Sequence, residues 1–184
     1  GREKLDFDRY SEENKNNQFI RFAFNKTDQV QVVNKWSDHM ARHLATAQNN
    51  ADNSIYTLEN YASSPQVYIK TRSIDQQRSQ INVQQQKYNW GHAHIFKWKA
   101  YTGKQTEGIL YLPDNLDTTK KYPMITYFYE RRNETLYKYI PPKPTGSALN
   151  ISFFVSRGYV VFVPYIWYTI GHPGQSAYDY VISG

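Results

Sequence analysis

Two histidine pairs and one serine have the types and spacing to do chemistry in this 184-residue chain. His39-Met40-Ala41-Arg42-His43 sets two imidazoles four residues apart, which on a helix share one face. Zinc proteases use that spacing with a glutamate after the first histidine as general base. Met40 stands there, no third ligand is evident, and surface or packing histidines are the better account. In Trp90-Gly91-His92-Ala93-His94 the alternation places both rings on one strand face. With no carboxylate nearby in sequence, that pair also reads as structural. Gly174-Gln175-Ser176-Ala177-Tyr178 misses G-x-S-x-G by its last glycine. A nucleophile elbow needs the serine on a tight turn directly between strand and helix. Ser176 follows a Pro/Gly loop instead, and with Asp179 three residues on it reads as a helix N-cap with a shortened capping box. No Ser-His-Asp set can be assembled from these residues.

The elements that must position any site centre on residues 120–174. Pro123 to Tyr129 and Tyr159 to Pro164 are short β-branched and aromatic runs bounded by Pro or Gly, the pattern of buried strands. Between them, residues 147–157 predict a helix, with Ala148, Ile151 and Val155 on one stripe and Gly158 as its stop. Strand, helix, strand makes a βαβ unit with parallel strands and a right-handed crossover. Upstream, residues up to about 17 read as a connector or edge segment. Ile20, Phe22 and Phe24 alternate as a half-buried strand, Asn25 to Asp28 as a turn, and Val30, Val32 and Val33 as its return. Further strands are expected at 54–58 and 66–71, and a hairpin at 93–100 and 105–112 around Tyr101-Thr102-Gly103-Lys104. Antiparallel sheets thus run to about residue 112, in two blade-like groups of strands, with Gln76 to Gln86 as a connector.

Composition bounds the function classes. Apolar residues make up 40% and aromatics 16%, enough for a core, while a mean hydropathy of −0.76 signals long polar connections. No run approaches the ~18–20 apolar residues of a membrane span. The lack of an initiator methionine and the helical pattern interrupted at Gly184 suggest a segment of a longer protein. The absence of cysteine excludes a disulfide scaffold, a thiolate zinc site and a cysteine nucleophile, and leaves the compartment open. The net charge of +6 invites a nucleic-acid reading. The basic pairs Lys120-Lys121 and Arg131-Arg132 are interleaved with acids, so a solvated surface is the expectation and no nucleic acid is called for.

Several of these stretches together resemble the prolyl oligopeptidase (S9) family of serine peptidases. They are Gly108-Ile109-Leu110-Tyr111-Leu112-Pro113, Lys121-Tyr122-Pro123 with a strand ending in Tyr129, and Ser156-Arg157-Gly158-Tyr159 leading into another strand. Asn89-Trp90-Gly91 resembles the crossing between that family's two domains. Tyr56-Thr57-Leu58-Glu59-Asn60-Tyr61 with Ser64-Pro65-Gln66-Val67-Tyr68 resembles its closing propeller blade. The resemblance implies a fold of α/β plus all-β type: terminal β-propeller strands over 1–88, then the N-terminal part of an α/β-hydrolase sheet over 89–184. It is specific over about 88–184 and weak over 1–50.

The resemblance also implies function. The parent would hydrolyse peptide bonds, after proline in the family's namesake, with serine, aspartate and histidine all beyond Gly184. The 184 residues alone are then expected to be inactive. One site residue carries over: Tyr129, whose hydroxyl would donate to the oxyanion beside a backbone N–H next to the serine. Read from the residues alone, Tyr129 is a strand-end tyrosine with a packed ring. No metal or organic cofactor is implied. The implied partners are a peptide substrate, the remainder of the hydrolase domain, and a second copy in a homodimer, in a periplasmic or extracellular setting. The chain departs from the family after Val163-Pro164, where Tyr165-Ile166-Trp167-Tyr168 replaces a polar, Gly-rich loop. No glutamate pair for a substrate amino terminus is in view, so exo- and endopeptidase action both stay open. The alternatives are a non-catalytic β-rich module gripping peptide or glycan, and an inactive family member. If the hydrolase sheet is cut here, Phe153, Phe154, Val161, Phe162 and Trp167 are expected to be exposed.

Overall fold

The computed structural model describes residues 4–13, 15, 17–23, 30–36, 38–48, 50–129 and 133–184. The chain divides into two compact units, residues 1–83 with 137–139 and residues 84–136 with 140–184.

The first unit holds two antiparallel sheets. Strands β1 (Lys4–Tyr10), β2 (Asn17–Ala23) and β3 (Val30–Trp36) pair in chain order, with β1 at the edge. The register shifts between Phe19 and Ile20, and these consecutive residues are both buried. A bulge breaks the alternation of faces and accounts for two neighbours pointing inward. Phe24 and the turn expected at Asn25 to Asp28 lie outside the described residues. The second sheet is a meander of β4 (Met40–Ala47), β5 (Asn50–Asn60), β6 (Ser63–Lys70) and β7 (Asp75–Gln77), again in chain order. Ser54 and Tyr56 are buried while Ile55 between them is 38% exposed, the period-2 pattern of a half-buried strand. Tyr56 stacks on its cross-strand partner Tyr68, and its hydroxyl donates to Asp75. Burial and that carboxylate hold the phenol well above its ordinary pKa. The expected connector at 76–86 is thus partly sheet, and a 3-10 turn follows at Val83–Lys87.

The second unit is a mixed sheet. The hairpin forms as expected, from β8 (His92–Lys99) and β9 (Gln105–Leu112), with Gly103 at φ +82° in its turn. Strands β10 (Met124–Thr126) and β11 (Val160–Pro164) are adjacent and parallel, so the βαβ expectation holds. β11 also pairs antiparallel with β9, giving the order β10-β11-β9-β8. Two elements are shorter than expected. β10 stops at Thr126 instead of 129, and the crossover helix α1 is only Ile151–Val155 instead of 147–157. Residues 141–148 are exposed and irregular, and the helix begins only at Ile151, because Asn150 is extended and occupies the cap position. Asn150 caps α1 by accepting from Phe153 N–H (2.9 Å). Gly158 ends that segment at φ +84°, where the Tyr159 N–H returns to Phe154 O (3.2 Å).

Ile109, Tyr111, Val155, Val161, Phe162 and Val163 form the buried interior of this unit. α1 packs against β11 and β9. The second helix, α2 (Pro173–Val181), docks through Trp98 Nε1, which donates to Ser183 Oγ (3.0 Å), and through Ala100, Ile166 and Tyr180. The expected exposure therefore holds for Phe153 and Trp167 but not for Val161 and Phe162. Both sit on the central strand, and Phe162 is covered by Phe96 and Trp98.

Candidate active site

Parallel pairing sets the carboxyl ends of β10 and β11 side by side, the end at which open α/β sheets bind ligands. Tyr127 N–H donates to Phe162 O (2.9 Å), which carries the pairing one residue past β10. Tyr129 follows, three residues beyond Thr126, with 70% of its surface exposed. Its ring is therefore largely in solvent, just past the carboxyl end of β10. Beside β10, an edge strand, lies a groove of about 830 Å³ lined by Tyr127, Pro142, Leu149, Phe153 and Phe154 among others.

Ser176 is not the N-cap. His172 occupies that position, Pro173 starts the helix, and Ser176 lies inside it, buried. Its hydroxyl accepts from Thr169 N–H (3.0 Å) and donates to His172 O (2.9 Å), fastening the loop after β11 to α2. Proline is at home at a first helical position, and its fixed φ starts the helix four residues early. Asp179 accepts from Gln175 Nε2 (2.8 Å) and takes no part in a capping box.

The histidines are brought to three places. His39 precedes β4 and His43 lies within it, so the helix expected for them is absent. The His43 ring stacks on Phe19 (4.7 Å) and its Nε2 lies 2.8 Å from Thr46 Oγ1, while His39 Nε2 is 3.5 Å from Asn60 Nδ2. His92 and His94 share a strand face, with rings edge to face at 4.8 Å. A carboxylate is near after all: Asp114 Oδ1 is 3.8 Å from His92 Nδ1, and Asp114 accepts from Trp90 N–H (2.8 Å). Asp114 lies 22 positions along the chain, and pairing of His92 with Leu112 brings it close. Desolvation, then the neighbouring His92, lowers the His94 pKa. Among the described residues no group of three or more His, Cys, Asp or Glu is arranged to hold a metal. No described helix is long and apolar enough to cross a membrane.

No protein-family model matches the sequence, and no curated protein matches it. Solved structures do match, and they define a class: serine peptidases of the prolyl oligopeptidase type, whose fold this chain shares in part. AtxE2 isopeptidase superposes with a TM-score of 0.62 at 12% identity, over 91% of this chain and 24% of its own. A prolyl endopeptidase gives 0.60 at 13% identity, over 89% of this chain and 23% of its own. The acylaminoacyl peptidase of Pyrococcus horikoshii gives 0.56 at 16% identity, over 90% and 25%. The chain spans about a quarter of the length of the solved structures it matches.

Proposed function

We propose that this chain is the junction of a serine peptidase, with 1–88 closing a β-propeller and 89–184 opening an α/β-hydrolase domain. The parent hydrolyses peptide bonds in oligopeptides through a serine, aspartate and histidine that lie outside these residues. The carrying observation is the order of sheets: an antiparallel four-stranded meander, then a hairpin feeding a mixed sheet in the order β10-β11-β9-β8. Superposition of 89–91% of the chain on three peptidase structures, at TM-scores of 0.56–0.62, supports it. The remainder of the hydrolase domain would add its next strand to the open edge of β10.

In this reading Tyr129 acts on the transition state. Its hydroxyl donates to the oxygen that becomes negative when the scissile carbonyl is attacked, sharing it with a backbone N–H. A donor aimed at developing charge lowers the barrier without tightening the ground state. The exposure of Tyr129 at the carboxyl end of β10 supports this role over the packed-ring alternative. Tyr129→Phe deletes only the hydroxyl. In the full-length protein kcat on a peptide amide should fall on the order of 10- to 1,000-fold with KM little changed. An unchanged kcat overturns the role of Tyr129. A full-length protein with no hydrolytic activity on any peptide favours an inactive family member or a peptide-binding module.

A further inference from the structure

The hairpin turn, the loop after β11 and the first turns of α2 enclose a second pocket, of about 240 Å³, away from the groove beside β10. It is lined by Trp167, Asp179, Gln175, His172 and Thr102 among others. Three observations give it a ligand chemistry. First, the Trp167 ring already takes a cation: Lys104 Nζ stands 3.4 Å from its centroid, in the geometry by which an ammonium is drawn to an indole face. Second, Asp179 is the one carboxylate among the lining residues, and no lysine or arginine is among them. Gln175 Nε2 donates to one of its oxygens, and a carboxylate accepts several more bonds than that. Third, the walls are held in place. Ser176 ties Thr169 to His172, Tyr101 N–H donates to Asp179 O (3.4 Å), and Thr102 Oγ1 donates to Tyr180 Oη (3.4 Å).

We propose that this pocket binds a basic side chain, the guanidinium of arginine or the ammonium of lysine, carried by a peptide. The cation pairs with Asp179 while its flat or alkyl portion lies along Trp167. That the peptide is a substrate rests on the peptidase reading, whereas the binding itself does not. The aromatic loop after Val163-Pro164, with Trp167 in it, is what builds the site. Lys104 competes for the same ring, so an incoming cation displaces it.

The test is calorimetric titration of the full-length protein with N-acetyl-arginine amide, N-acetyl-lysine amide and the neutral N-acetyl-norleucine amide. The two basic probes should bind and norleucine should not. Asp179→Asn should weaken arginine binding on the order of tenfold or more, and Lys104→Met should tighten it. Equal binding of arginine and norleucine, binding of neither, or an unchanged affinity in Asp179→Asn overturns the site. The comparison on unaltered protein stands even if a variant does not fold. In a kinetic arm, Tyr129→Phe should lower kcat on basic and neutral peptides alike, whereas Asp179→Asn should erase only a preference for basic ones. Binding of the basic probes without hydrolysis of any peptide keeps the pocket and rejects the peptidase reading. Hydrolysis with neither basic preference nor binding does the reverse.

Discussion

Two glycines separate what backbone geometry costs from what space costs. Gly91 and Gly103 both sit at positive φ, +87° and +82°. A Cβ at Gly91 would lie 2.4 Å from Leu112 O and 2.5 Å from Val155 Cγ1, whereas at Gly103 the nearest atom is Lys99 Cε at 4.0 Å. Gly103→Ala therefore carries the left-handed penalty alone, about 1–2 kcal/mol. Gly91→Ala adds overpacking against backbone, a further ~1–3 kcal/mol. Urea unfolding monitored in the second unit should rank the variants in that order. Equal midpoints would mean that the strand β9 and α1 yield freely at Gly91. The close approach has a structural consequence: Gly91 is where β8 can begin directly against Leu112 and Val155.

Helix α1 shows what an element needs when its own length cannot sustain it. Five residues fall well short of the ~12–15 at which an isolated helix becomes marginal in water. Its existence depends on packing against β11 and β9 and on Asn150, which works in both directions. Asn150 Oδ1 accepts from Phe153 N–H, and Nδ2 donates to Pro141 O (3.0 Å), tying the proline segment to the start of the helix. Asn150→Ala loses both and should cost about 1–2 kcal/mol. Asn150→Asp keeps the acceptor and loses the donor, so it should fall between wild type and alanine. If aspartate were as damaging as alanine, the tie to Pro141 would hold the helix start more strongly than the cap does.

At the scale of the whole molecule, one group in each unit links stability to pH, with opposite sign. In the first unit, burial raises the Glu59 pKa above its ordinary value, partly opposed by the Tyr139 backbone N–H and by Lys138. The folded form then binds a proton that the unfolded chain has released. Stability from this group is highest below the ordinary glutamate value and declines as pH rises through the raised one. In the second unit, His94 is lowered by desolvation and by His92, so its folded form resists the proton. That contribution is full above the ordinary imidazole value and is lost as pH falls through the lowered one. Hydrogen exchange of the two units across pH 4 to 8 should show these opposite slopes. Glu59→Gln should flatten the first and His94→Gln the second. Parallel slopes that neither variant changes would show that other groups govern both units.

Local pattern determined much of this protein. Alternation and turn residues located the hairpin of β8 and β9 and the strands β5 and β6, since period-2 burial is written into successive side chains. The βαβ unit was legible because two β-branched runs with a helical stripe between them admit few arrangements, and Gly158 marked the stop. The Tyr129 position came from resemblance over the same stretch, and only the fold shows it exposed at the carboxyl end of a parallel strand. What neighbours decide was not legible. The His39–His43 spacing suits a helix or a strand face equally, and pairing with β5 chose the strand. The extended, capping Asn150 moved the start of α1 to Ile151, and Pro173 moved the start of α2 upstream and turned Ser176 from a cap into a buried tie. Asp114 beside His92, and Lys104 over the Trp167 ring, are meetings of residues 22 and 63 positions apart in the chain. Strand pairing and helix docking produce such contacts, and no sequence period records them.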